Sequence, residues 1–128
     1  MGSDLIDSNI VIDYLNRKLP VKGIQLLNQR IKKGAALSVI SKIELLSQPM
    51  PSSDEALMRQ FIATVQVLPI TEEVVDRAIA IRKLTRIKIP DAIIASTASL
   101  NRSLLITRNV QDFKGIPELE LFNPWTLY

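Results

Sequence analysis

The 128-residue chain contains no cysteine and no histidine. The missing cysteine excludes disulfides, zinc-thiolate sites and a thiol nucleophile, and it suits a reducing compartment such as the cytoplasm. The missing histidine excludes imidazole acid-base catalysis and His-ligated zinc. An enzyme built on this chain therefore works with carboxylates, hydroxyls, lysine or a hard metal ion. No apolar run approaches the ~20 residues of a membrane-spanning helix, and the amino terminus lacks the basic-then-apolar order of a signal peptide. A cytoplasmic protein without a membrane partner is expected.

No repeat, low-complexity stretch or linker divides the sequence. With 47% apolar residues, the chain can bury one core, so a single domain over residues 1–128 is expected. The net charge of +3 and the pI near 9.4 are compatible with a polyanionic partner without identifying one.

Residues Asp4 to Asp7 read as a short buried strand around Leu5 and Ile6, followed by a helix from Asn9 to Asn16. Val21 to Lys33 keeps helical spacing through Ile24, Leu27 and Ile31 until Gly34 stops it. Ala35 to Val39 is a second strand, Ser41 to Glu44 opens a helix ended by Pro49 and Pro51, and Ser53 caps the next. Val65 to Leu68 is a third strand. Thr71 starts a long helix that directs Val74, Val75, Ala78, Ile79 and Ile81 inward, and Pro90-Asp91 begins a buried helix. Leu104 to Thr107 and Leu119 to Phe122 complete the strands. Short apolar strands separated by helices indicate an α/β fold, a parallel sheet between helical layers. Right-handed crossovers then put every strand's carboxyl end on one edge, where such folds bind ligands.

Acidic residues fall on that edge. Asp7 ends the first strand, Glu44 lies in the first turn of the helix after the second, and Asp91 opens the helix before the fourth. Asn109 and Asp112 follow the fourth strand, and Asn9 and Asp13 lie just beyond Asp7. Each has a plain structural alternative. Ser41-x-x-Glu44 fits a capping box, Asp7, Asp91 and Asp112 fit caps or first turns, and Asp13 fits a solvated helix position. Against those alternatives stands the apolar context of Asp7, Glu44 and Asp91, which implies half-burial. Like charges converging there repel unless a cation neutralises them. Oxygen-only ligation selects Mg²⁺ or Mn²⁺, which can activate water and stabilise charge on a phosphodiester without histidine. Arg82 to Lys88 carries four positive charges and no acid, and reads either as a phosphate guide or as a solvated helix end. Arg102 and Arg108 are second choices for phosphate contacts. A phosphoacceptor receiver domain also clusters acids at such an edge, but Lys114 is poorly placed for it.

With these segments in view, the chain resembles the PIN domain family, and among its members the toxin ribonucleases of VapBC-type toxin-antitoxin pairs. The resemblance rests on Leu5-Ile-Asp-Ser-Asn9, Ser38-Val-Ile-Ser-Lys-Ile-Glu44, Pro90-Asp-Ala-Ile-Ile-Ala95 and Leu105-Ile-Thr-Arg-Asn-Val-Gln-Asp-Phe113, in that order. It implies a three-layer α/β/α sandwich, Mg²⁺- or Mn²⁺-dependent hydrolysis of single-stranded RNA, homodimers and an antitoxin partner. Carried over residue by residue, the family's first three acids fall on Asp7, Glu44 and Asp91. Its fourth falls on Asn109, where many members have aspartate, and Asp112 stands one turn along as the other source of that charge. Asn9 and Ser41 match positions that hydrogen-bond around the site. A noncatalytic RNA-binding module of the same fold is the alternative that Asn109 raises.

Overall fold

The computed structural model describes residues 3–126 of the chain. Five strands, β1 (Asp4–Ile6), β2 (Ala35–Ser38), β3 (Gln66–Leu68), β4 (Leu104–Ile106) and β5 (Glu120–Phe122), form one sheet in the order β3-β2-β1-β4-β5. Every pairing is parallel, with Leu5 opposite Ala36 on one side and Leu105 on the other. The central strand β1 is thus joined to β4 across almost the whole chain.

Strand alternation sorts the core into two layers. Leu5, Ala36 and Leu105 point to the face covered by α5 (Glu72–Leu84) and α6 (Ile89–Leu100). Ile6, Leu37 and Ile106 point to the other face, where they pack with residues of α1 (Ser8–Leu15), α2 (Val21–Gly34), α3 (Val39–Ser47) and α4 (Ser52–Ala63). Strands of three or four residues suffice because both faces are buried. The α/β fold with a parallel central sheet is as the sequence indicates.

Local chemistry explains most boundaries. Thr71 caps α5 by accepting from the Val74 amide at 3.2 Å, with Glu72 and Glu73 in the first turn and Arg82 and Lys83 in the last, as the helix dipole favours. Gly34 closes α2 at a φ of 105°, a conformation that costs any residue with a Cβ. Helix α6 carries Pro90 in its first turn and is buried over Ala92 and Ile94 through Ser99.

Four expectations are corrected. Strand β2 ends at Ser38, whose hydroxyl caps α3 by accepting from the Ile40 amide at 3.1 Å, so Ser41 lies inside α3 and forms no capping box with Glu44. Helix α4 starts at Ser52 with Pro51 as its cap residue, so Ser53 is already helical. On α5, Val75 and Ile79 are 44% and 51% exposed rather than inward, because the sheet-facing stripe of that helix is Val74, Ala78 and Ile81. Asp13 is buried at 4% exposure rather than solvated.

Candidate active site: an acidic edge

The carboxyl edge of the sheet is built around Asp7. Leaving β1, its amide donates to the Ile106 carbonyl at 2.9 Å, and its own carbonyl accepts from the first turn of α1. The side chain therefore sits at a strand end and a helix start together, 5% exposed. Oδ1 accepts from the Ser8 amide at 2.8 Å, and Oδ2 accepts from the Thr107 hydroxyl at 2.8 Å and from Asn9 Nδ2 at 3.3 Å. A carboxylate offers about four acceptor sites. Three are filled from the protein, which leaves capacity for one further ligand.

The remaining acids arrive from separate segments. Glu44, on α3, accepts from the Ser8 hydroxyl at 3.3 Å, and Asp91 stands in the first turn of α6. Asp112 lies in a single 3-10 turn, Val110–Phe113, anchored by the buried Phe113. Burial raises the Asp7 carboxyl above its ordinary value of 3.8 despite its three hydrogen bonds, and the Asp112 charge adds to the rise. Asp91 is raised chiefly by desolvation, then by the charges of Asp7 and Asp112, with Lys88 acting weakly the other way. Glu44 is exposed rather than half-buried, yet partial desolvation of its carboxyl group, followed by the Asp7 charge, raises it as well. Electrostatically the four acids are one site. Among the described residues none of them forms an ion pair.

Of the two positions considered for a fourth ligand, Asp112 is the one whose charge reaches Asp7 and Asp91. Asn109 is exposed, and its backbone amide donates to the Thr107 hydroxyl at 3.1 Å. Ser41, which matches a family position that hydrogen-bonds around the site, is fully buried here, and its hydroxyl has no hydrogen-bond partner among the described residues. Asn9 does reach the site, through Asp7 and through the Arg108 amide, which it accepts at 3.3 Å. Arg108 reaches the edge too, but its Nη1 is held by Asp13 at 3.0 Å. Arg102 precedes β4 and so lies at the opposite edge, away from the acids. The basic segment does flank them: Thr85 to Lys88, with Asp91 and Asp112, line a cavity of about 330 Å³. Arg82 Nε steadies that loop by donating to the Ile87 carbonyl at 3.0 Å.

Sequence reasoning missed Ser8, which bridges Asp7 to Glu44, and Thr107, which bridges Asp7 to Asn109. The available signal was a hydroxyl residue directly after a strand end on the same edge. Among the described residues, no three acids are grouped tightly enough to enclose a metal ion by themselves. The donor chemistry still fits a hard divalent cation. Such an ion takes one or two carboxylates and completes its shell with water and substrate phosphate, so it needs no closed cage.

The chain matches a family model described as the PIN domain over residues 5–119. A solved toxin-antitoxin complex from Klebsiella pneumoniae is similar at 31% identity and a TM-score of 0.77, covering 98% of this chain and 100% of that one. DNA-bound VapBC from Salmonella typhimurium is similar in fold at 22% identity and a TM-score of 0.81, covering 97% and 99%. VapBC2 from Rickettsia felis, bound to a promoter fragment, is similar in fold at 23% identity and a TM-score of 0.80, covering 93% and 96%. Comparison with curated proteins finds no match. With its sequence matched from β1 nearly to β5 and its acids gathered at one sheet edge, the chain belongs to the PIN domain family.

Proposed function

We propose that this protein is a divalent-metal-dependent endoribonuclease that cleaves single-stranded RNA and acts as the toxin of a toxin-antitoxin pair. The observation that carries the reading is the convergence of Asp7, Glu44, Asp91 and Asp112, from four separate segments, into one set of carboxyls whose charges raise one another and which, among the described residues, has no ion-pair partner. Such repulsion is relieved by a bound cation. Asp7, Glu44 and Asp91 would hold Mg²⁺ or Mn²⁺, one or two of them directly and the rest through bound water, assisted by Asp112 or the Asn109 carbonyl group. When bound, the ion supplies an activated water and neutralises charge on the scissile phosphodiester.

The chain's own groups do the rest. Thr107, Ser8 and Asn9 fix the Asp7 carboxylate in one orientation, which a metal ligand requires. Lys88 and Arg86 border the acids and place positive charge where a phosphate backbone would run. Arg108 keeps its side chain 48% exposed while one nitrogen is held by Asp13, so its remaining N–H groups are free to meet a phosphate. Cleavage by water attack leaves 5′-phosphate and 3′-hydroxyl ends and does not use the 2′-hydroxyl.

Incubating the protein with single-stranded RNA and Mn²⁺, with and without chelator, tests the reading. Cleavage lost on chelation and in Asp91→Asn supports it, whereas equal cleavage by wild type and variant removes it. Saturable RNA binding without cleavage under any divalent ion favours the noncatalytic module that Asn109 suggests.

Two partners follow. An antitoxin would send an arginine into the metal-free acidic edge, where a carboxylate pair offers bidentate binding; the Klebsiella relative is itself part of a toxin-antitoxin complex. A second copy of the chain would cover the apolar stripe of Val75, Ile79 and Ile89, which borders a groove of about 500 Å³ between α5 and α6. Helix α5 is apolar toward the sheet and again on this outer side, the pattern of a helix covered on both.

A further inference from the structure

Asp13 lies on α1, two turns from the acidic edge, and is only 4% exposed. A carboxylate taken from water needs a countercharge and hydrogen bonds. Here Arg108 Nη1 donates to both of its oxygens, at 3.3 and 3.0 Å, and Trp125 Nε1 donates to Oδ2 at 2.9 Å. The grip on Arg108 continues along its backbone. Its amide donates to Asn9 Oδ1 at 3.3 Å, and its carbonyl accepts from Asn123 Nδ2 at 3.5 Å. Asn123 Oδ1 in turn accepts from the Trp125 amide at 3.0 Å. Behind Trp125, Pro124 packs on α2 so closely that a Cβ at Gly23 would stand 2.7 Å from the Pro124 carbonyl oxygen.

Arg108 is therefore held at its guanidinium, amide and carbonyl, while on either side Thr107 donates to Asp7 and the Asn109 amide donates to Thr107. Asn9 holds both the Arg108 amide and Asp7. A buried ion pair is weak evidence for stability, but it does select one arrangement of the groups it joins. We propose that Asp13 and Trp125 are positioning residues: by fixing Arg108, they keep the Thr107–Asn109 turn in the one register in which Thr107 and Asn9 orient Asp7. The proposal rests on the reading of Asp7 as a metal-holding acid.

Trp125→Phe keeps an aromatic ring and removes one N–H, and Asp13→Asn keeps the shape and removes the charge. Both variants are compared with wild type by amide hydrogen exchange at Arg108 and Asn109, by calorimetric Mn²⁺ titration, and by RNA cleavage as a function of Mn²⁺. Supporting residues around a metal ligand typically matter by 10–100-fold. The expected result for Trp125→Phe is an unchanged circular dichroism spectrum, exchange at both amides about tenfold faster, and Mn²⁺ affinity about tenfold weaker. Excess Mn²⁺ should restore most of the cleavage rate. Gly23→Ala, which displaces Pro124 from the far side, should shift the same amides and the same affinity in a smaller measure.

Unchanged exchange overturns the proposal, because the network then does not hold the turn. Faster exchange with wild-type Mn²⁺ affinity overturns it as well, because the network is then structural only. If Asp13→Asn fails to fold, Trp125→Phe and Gly23→Ala carry the test. A wild-type protein that neither binds Mn²⁺ nor cleaves RNA removes the nuclease reading and the proposal together, whereas an active wild type with unmoved variants removes the proposal alone.

Discussion

Among the described residues nothing hydrogen-bonds to the Asp91 carboxylate, which feels only desolvation and the charges around it. Neutralising it relieves repulsion and breaks no bond, so metal-free Asp91→Asn at pH 7 should be more stable than wild type by about 0.5–2 kcal/mol. Urea denaturation checks this, and the same variant should lose RNA cleavage by about a hundredfold or more. Thr107→Val is the contrasting case. It is nearly isosteric, but it strips a buried donor from Asp7 and should cost about 1–3 kcal/mol while also lowering cleavage. The positions of Asp7, Glu44 and Asp91 were legible because an acid after or beside an apolar run breaks the expected polarity pattern. Ser8, Thr107 and Asp13 were not, because a serine, a threonine or a helix aspartate is ordinary until its partner is known. Those partners lie 36, 100 and up to 112 residues away in sequence.

Helices and strands were legible to within one or two residues wherever caps and breakers agree, as at Thr71 for α5 and Gly34 for α2. Gly34→Ala should cost about 1–2 kcal/mol, the penalty for a Cβ at positive φ, and a thermal melt would register it. The start of α3 was misread because two serines compete for the cap, and only the backbone angles of Ser38, φ −70° and ψ 148°, decide between them. The 3-10 turn that presents Asp112 was invisible for a related reason. Four residues carry too little periodicity to register, and the turn is held by the burial of Phe113 in the core. Helix α5 shows the opposite failure, an apolar pattern wide enough for two stripes of which the fold buries one.

For the molecule as a whole, the three raised carboxyls fix how stability responds to pH. Unfolded, they titrate at their ordinary values of 3.8 and 4.5; folded, they titrate higher. Between the two ranges the folded chain binds more protons than the unfolded one, so their contribution falls as pH rises through that window and then levels off. Metal-free protein should therefore melt higher at mildly acidic pH than at neutral pH, and Mn²⁺ should recover the difference at pH 7, as binding to the folded state alone requires. A thermal melt series with and without chelator measures both effects. At the same scale, Ile79→Lys should shift a dimer to monomer in light scattering without altering the melt of the monomer, since Ile79 is 51% exposed. The fold class was legible from strand and helix alternation, but which apolar stripe of α5 the fold buries was not, because periodicity does not distinguish a core face from an exposed one. The pairing of β1 with β4 has a further meaning in time. Leu5 meets Leu105, and Asp7 receives its hydroxyl donor from a residue 100 positions later. The sheet has no hairpin from which to nucleate, so its closure is a late, long-range event in folding. A chain still being synthesised, or one cut short before β4, lacks the completed acidic edge and, on the proposed reading, the means to cleave RNA.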